Sequence, residues 1–220
     1  MKLFFVFALA LIAAATFNVP AARADGMQDD IDQAVSIIQR FREMPEKSIP
    51  KEVLRDARGL AIMTVIKAGF IFSGRGGTGV VVARLGKGWS PPSAIGTGGA
   101  GFGLQIGAQV TEFVIVLNTP DAVRAFSREG NVQLGTDLSV AAGPVGRSLG
   151  AGVTPVAAVY TYSRSQGLFA GISLEGTIIG ARGDTNAKYY GRVVSPQAIL
   201  SGSVKTPPGA RTLQRVLSRY

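Results

Sequence analysis

Gly101-Phe-Gly-Leu-Gln-Ile-Gly-Ala-Gln-Val110 decides the fold class. Phe102, Leu104, Ile106, Ala108 and Val110 alternate with Gly101, Gly103, Gln105, Gly107 and Gln109. A period of two is that of a β-strand with one face turned to a core. Glycines on the other face mark a strand that bends, or one that another backbone approaches closely. Working outward, residues 113–117 predict a wholly apolar strand, and residues 61–66, 68–73 and 80–85 three more, separated by glycine-rich turns. Residues 132–140, 153–162 and 167–179 follow as strands, the second interrupted at Pro155. The last alternates again through Leu168, Ala170, Ile172 and Leu174.

Helices flank this β region. Ile31, Ala34, Val35, Ile38 and Phe41 recur at helical spacing, with Asp29 or Asp30 as N-cap and Met44-Pro45 as the stop. Pro50 opens a second helix with Leu54, Ala57 and Ala61 as its apolar stripe and Gly59 near its end. Thr119-Pro120 starts a short helix through Phe126, and residues 196–200 and 211–217 read as short closing helices. Strands outnumber helices, and the helices gather at the ends. The predicted class is α+β: a strongly bent antiparallel sheet or barrel-like β core with short helices at the N- and C-terminal ends.

Composition narrows the chemistry. The 220 residues include no Cys and no His. Thiolate nucleophiles, imidazole bases, Ser-His-Asp triads, zinc sites and disulfides are excluded. Two segments match G-x-G-x-x-G, Gly74/Gly76/Gly79 and Gly96/Gly98/Gly101, yet both lead into strands and no acidic residue follows the first until Glu112. A dinucleotide site needs the opposite on both counts, so these glycines read as turns and bends. Ser48-Ile-Pro-Lys51 matches S-x-x-K without its partner motifs. The reading is not an enzyme, with no cofactor and no metal.

Residues 1–24 read as a secretory signal peptide: Lys2, an apolar run over residues 3–15, then Ala22-Arg23-Ala24 as a small-x-small cleavage site. An uncleaved anchor is the alternative. The expected location is secreted or periplasmic and peripherally membrane-associated, with residues 25–220 as a single domain.

Lys and Arg total 23 against 14 Asp and Glu, a net charge of +9. No acidic residue lies between Asp56 and Glu112, where Arg58, Lys67, Arg75, Arg84 and Lys87 all fall. A one-signed stretch suits an anionic partner: phosphates, lipid head groups or acidic protein faces. Lys51, Arg55 and Arg58 stand at i, i+4 and i+7 and share one side of the second helix, either as a solvated face or as a binding face. Phe70, Phe72 and Trp89 are the nearby apolar candidates, Trp89 being either a core plug or an interfacial anchor. Glu175, a carboxylate in an apolar strand, predicts a structural ion pair with Arg147 or Arg164. Nucleic acid is not an expected partner, because no exposed aromatics interleave with the basic residues. Oligomeric state cannot be read from the sequence.

Many short strings then fall in one order: Ile49-Pro50, Val53-Leu54, Gly59-Leu-Ala-Ile62, Lys67-Ala-Gly-Phe70, Ser73-Gly-Arg-Gly76, Trp89-Ser-Pro-Pro-Ser93, Gly107-Ala-Gln-Val-Thr111, Gly143-Pro-Val-Gly-Arg147, Tyr162-Ser-Arg-Ser165 and Gly167-Leu-Phe-Ala-Gly171. Together they resemble the SYLF domain from about Asp30 to Leu217. The resemblance implies a non-enzymatic lipid-binding module. Eukaryotic members bind phosphoinositides and some bind or bundle actin; bacterial members are envelope proteins thought to bind phospholipid. It implicates Lys47, Lys51, Arg55 and Arg58 in lipid contact, with Lys67 and Arg75 added. The sequence reading is thus binding of anionic phospholipid membrane, with actin-filament or other acidic-polymer binding as the alternative if the chain is cytosolic.

Overall fold

The computed structural model describes residues 26–44, 48–86, 88–144, 157–167 and 177–220, with the backbone alone at 70–72 and 101–106. The elements run α1 (Met27–Glu43), α2 (Lys51–Asp56), β1 (Gly59–Leu85), β2 (Gly88–Trp89), β3 (Ser93–Leu117), α3 (Pro120–Ser127), β4 (Asn131–Gln133), β5 (Val140–Ala142), β6 (Val159–Gly167), β7 (Ile178–Ala181), α4 (Gly183–Tyr190), α5 (Pro196–Leu200), a 3-10 turn (Pro208–Ala210) and α6 (Arg211–Leu217).

The glycines that predict turns run through strands instead. β1 and β3 form one antiparallel ribbon from Gly59↔Leu117 to Val81↔Ser93, irregular only between Phe70 and Phe72. The two G-x-G-x-x-G segments lie opposite each other in it, with Gly74↔Ala100, Gly76↔Gly98 and Gly79↔Ile95. Their role is steric. β1 bends back so that residues 77–79 lie against residues 62–65 of the same strand: a Cβ on Gly77 would stand 2.5 Å from the Thr64 carbonyl oxygen, and one on Gly79 would collide with that of Ile62. At the strand's two ends the Arg84 amide donates to the Arg58 carbonyl at 2.9 Å.

β6 pairs with the second half of β3, and β5 joins β6 in parallel. β7 pairs with residues 95–97 of β3, and β4 with β7. The sheet is therefore a curled, mixed half-barrel; one parallel pair departs from the antiparallel expectation. Its strands alternate between two apolar layers. Leu60, Ile62, Val80, Val82, Val114, Val116, Tyr160 and Tyr162 face α1, α2 and α6. Ala61, Met63, Val65, Val81, Phe113, Ile115, Val159 and Ile179 fill the other side, closed by Ala122 and Phe126 of α3 and by Leu134 and Leu138.

Helix α1 buries Ile31, Ala34, Ile37, Ile38 and Phe41. It starts earlier than its aspartates suggest: Gly26 is the N-cap, with no side-chain capping bond. Asp30 instead accepts hydrogen bonds from Thr78 Oγ1 at 2.6 Å and Arg182 at 2.7 Å. Burial pushes its carboxyl above the ordinary value, against the pull of those two donors. At the other end Arg40 grips Glu112 of β3 through Nε and Nη2, at 3.1 and 2.6 Å, while Arg164 of β6 reaches the same carboxylate at 3.4 Å. Arg164 thus has Glu112 as partner; Glu175 and Arg147 lie outside the described residues, as does residue range 168–174 of the expected alternating strand. Helix α4 was not expected from the sequence. It is positioned by buried Asn186, which accepts from the Ala94 amide at 2.8 Å and donates to Ser93 Oγ at 3.1 Å.

Glu112 is 8% exposed, and Glu112→Ala strands two arginines at the helix–sheet boundary. Because both arginines are partly solvated, the expected loss is about 2 kcal/mol, below that for a fully buried pair; urea unfolding midpoints check it. Tyr190 donates to the Pro92 carbonyl at 2.6 Å, and burial holds its phenol well above the usual value. Folded and unfolded chains both keep this proton below about pH 10, and above it the unfolded chain releases it first. Stability is therefore expected to fall as pH rises beyond that point, with a shallower slope in Tyr190→Phe, measured by denaturant unfolding at alkaline pH.

Candidate functional site

The basic candidates start at α2. Pro50 precedes the helix and Val53 and Leu54 turn into the core, which leaves Lys51 and Arg55 exposed. The helix ends at Asp56, so Arg58 lies past it rather than on its face. Arg58 is held by its backbone, its amide donating to the Leu117 carbonyl at 2.8 Å, and it too is exposed. This basic end is not free of acid. Arg55 donates to Asp56 at 2.9 Å, and Arg55, with Arg84 and Arg58 adding to it, holds the Asp56 carboxyl below the usual range.

Trp89 is 6% exposed and packs in the helix-covered core. The Arg84 guanidinium lies 4.2 Å from its ring centroid, and Arg84 also donates to the Leu54 and Ala57 carbonyls at 2.7 and 3.0 Å. Gln214 of α6 donates to the Trp89 carbonyl at 2.8 Å. Of the two readings of this residue, the structure takes the core plug. Trp89 ties β1, α2 and α6 together and offers no ring to a membrane.

Lys67 and Arg75 flank the middle of the ribbon, where it doubles over and where they pair with Gln109 and Gly99 of β3. From Arg58 to Lys67 the strand climbs roughly 30 Å. The expected lipid-contact set is therefore split between two poles. Lys47 lies outside the described residues, and Phe70 and Phe72 are described by backbone alone. At this far pole the alternation also reverses its expected sense: Gln109 is 1% exposed and Val110 41%. Glu112, Val114 and Val116, on the Val110 face, lie under α1, but residue 110 is beyond the helix's cover. Gln109 points with Thr111 and Phe113 to the enclosed side, and donates to Thr111 Oγ1 at 3.2 Å.

Among the described residues, no group of three or more Asp or Glu could hold a metal ion. Two open grooves, about 440 and 570 Å³, flank α3 and share Arg124, Arg128 and Glu129. Sequence reasoning passed over a second set of cations: Lys188, Arg192, Lys205, Arg211, Arg215 and Arg219, all exposed. The signal was present, since no Asp or Glu occurs from residue 185 to residue 220.

The described residues thus form a curled sheet with helices on its outer layer and cations turned to solvent. The chain belongs to the Ysc84 family, whose model, described as Las17-binding protein actin regulator, matches residues 98–220; this bears out the likeness to the SYLF domain. It is 52% identical over 210 residues to "Protein YSC84" of Saccharomyces cerevisiae, covering 91% of this chain and 44% of that protein. "LAS seventeen-binding protein 3" of the same yeast is 51% identical over 177 residues, 78% of this chain and 39% of the relative. The human "SH3 domain-containing YSC84-like protein 1" is 45% identical over 202 residues, 88% and 59%. The chain thus spans about two to three fifths of the length of these relatives. No solved structure matches it.

These relatives correct the expected location. The relatives are named for SH3 domains and Las17 binding and the family for actin regulation, and against them the secreted or periplasmic placement does not stand. That placement came from the apolar composition of residues 1–24, which lie outside the described residues.

Trp89 is the chain's single tryptophan and reports directly on this arrangement. Its emission is expected to be blue-shifted and poorly quenched by acrylamide, and anionic vesicles should leave it unchanged. Strong quenching in the native protein would contradict the core placement.

Proposed function

We propose that this chain is a non-enzymatic module that binds actin filaments, an acidic polymer, through exposed cations. The observation that carries the reading is its identity of 52% across 91% of its length to a member of an actin-regulator family. The net charge of +9 is consistent with it. Filament co-sedimentation tests it: the chain should pellet with filaments in low salt and progressively less as salt rises. A chain that stays in the supernatant at every ionic strength removes the reading.

A second reading, binding of anionic phospholipid head groups, is favoured by one feature of the far pole. Val110, 41% exposed, stands opposite half-buried Ile66 on the outer face, an apolar pair suited to a head-group boundary, while Lys67 is the next residue along and points to the other face. Three to five cations at about 1 kcal/mol each give roughly 3–5 kcal/mol, so binding would be weak and sensitive to salt. The triple variant Lys51→Glu/Arg55→Glu/Arg58→Glu separates the poles in a liposome sedimentation assay. If α2 supplies the contact, the variant loses vesicles containing phosphoinositide; if the far pole does, it keeps them and Lys67→Glu/Arg75→Glu loses them.

A further inference from the structure

We infer that the carboxy-terminal face, centred on α6, is the surface that meets the filament; this rests on the filament reading above. Arg211, Arg215 and Arg219 recur at i, i+4 and i+8, along about 12 Å of helix and its cap. All three are exposed, while Leu213, Val216 and Leu217 turn inward. Like charges at this spacing repel and weaken a helix. The helix macrodipole accounts for Arg215 and Arg219 near the C-terminal end, but it disfavours Arg211 at the first position. Nothing within the helix explains the whole stripe.

Nor does the rest of the fold. Arg211, Arg215 and Arg219, with Lys188, Arg192 and Lys205, take part in no ion pair among the described residues. In α2, by contrast, Arg55 is bound to Asp56. Residues 185–220 carry no Asp or Glu, and the exposed acids of α1, which packs on α6, form no ion pair with these cations among the described residues.

The platform is also rigid. Gln214 donates to the Trp89 and Ser90 carbonyls at 2.8 and 3.2 Å and to Thr206 Oγ1 at 3.2 Å, which fixes the helix against β2 and the preceding loop. The adjoining segment is held by Val194, Ile199 and Val204, which pack together. The side chains next to this cluster, Val193 at 91% exposure and Lys205, project into solvent. A fixed row of cations loses little conformational entropy when it meets a fixed row of carboxylates. A filament presents such a row repeatedly, and charge complementarity selects it as the occupant.

The test is filament co-sedimentation with the full chain, its Arg211→Glu/Arg215→Glu/Arg219→Glu variant, and Lys188→Glu/Lys205→Glu, which leaves α6 untouched should the first variant fold poorly by circular dichroism. Both variants should bind at least tenfold more weakly and show a shallower salt dependence. Lys51→Glu/Arg55→Glu/Arg58→Glu should pellet like the parent. If the parent pellets and both C-terminal variants pellet equally well, the face is wrong while the filament reading stands. If the parent never pellets, the filament reading itself falls. Loss of anionic vesicles with full retention of filaments in the C-terminal variants would assign this face to a membrane and overturn the inference.

Discussion

The fold depends on one close approach of backbone to backbone. Residues 77–79 of β1 lie so near residues 62–65 of the same strand that a single methyl group at Gly77 or Gly79 would strike a carbonyl oxygen. That contact makes one long ribbon double over. It brings Arg58 beside Arg84 at one pole and carries Lys67 and Arg75 to the other. The curl that follows gives the sheet an enclosed side and a side for helices to cover. With less curl, the apolar rows led by Ile62 and Met63 would be spread over a flat sheet that the described helices could not shield.

Charge is distributed by the same geometry. The acidic residues at helix–sheet boundaries are already occupied. Asp30 joins α1 to Thr78 and Arg182, and Glu112 joins it to Arg40 and Arg164. Asp56 answers Arg55 beside the Arg84–Trp89 stack, and Asp121 pairs with Arg124. These pairs take up arginines as well as acids, and Asp29, Asp32, Glu43, Glu129, Asp137 and Asp184 remain exposed beside the cations. The positive field follows from the excess of 23 Lys and Arg over 14 Asp and Glu, since each fastening pair removes a cation along with an acid.

Much of the architecture could be read from residue patterns. The strands flanking Glu112, the helix opened by Thr119-Pro120 and the short helix at residues 196–200 appear where periodicity and turn chemistry put them. Glycine misled in a specific way: a glycine run marks a turn or a tight approach with the same letters, and only the partner strand distinguishes them. The Val110 phase failed because alternation reports which residues share a face, not how far a covering helix reaches. Asp30 looked like a cap because local sequence cannot show Arg182, 152 positions away. Helix α4 has only a weak amphipathic pattern and owes its place to the buried Asn186. At the surface, Lys51 and Arg55 were legible as exposed, whereas Trp89 needed its neighbours to show which way it turned.

The ribbon also bears on how the protein is made. Val81 meets Ser93 close by, but Gly59 finds its ladder partner only at Leu117, so on the ribosome the start of β1 must wait until the end of β3 has left the exit tunnel. Pairing between such distant positions is slow, and a nascent chain showing residues 60–66 and 80–83 without cover is open to association with its neighbours. Helix α1, made before β1 and able to form locally, is available early to shelter that row.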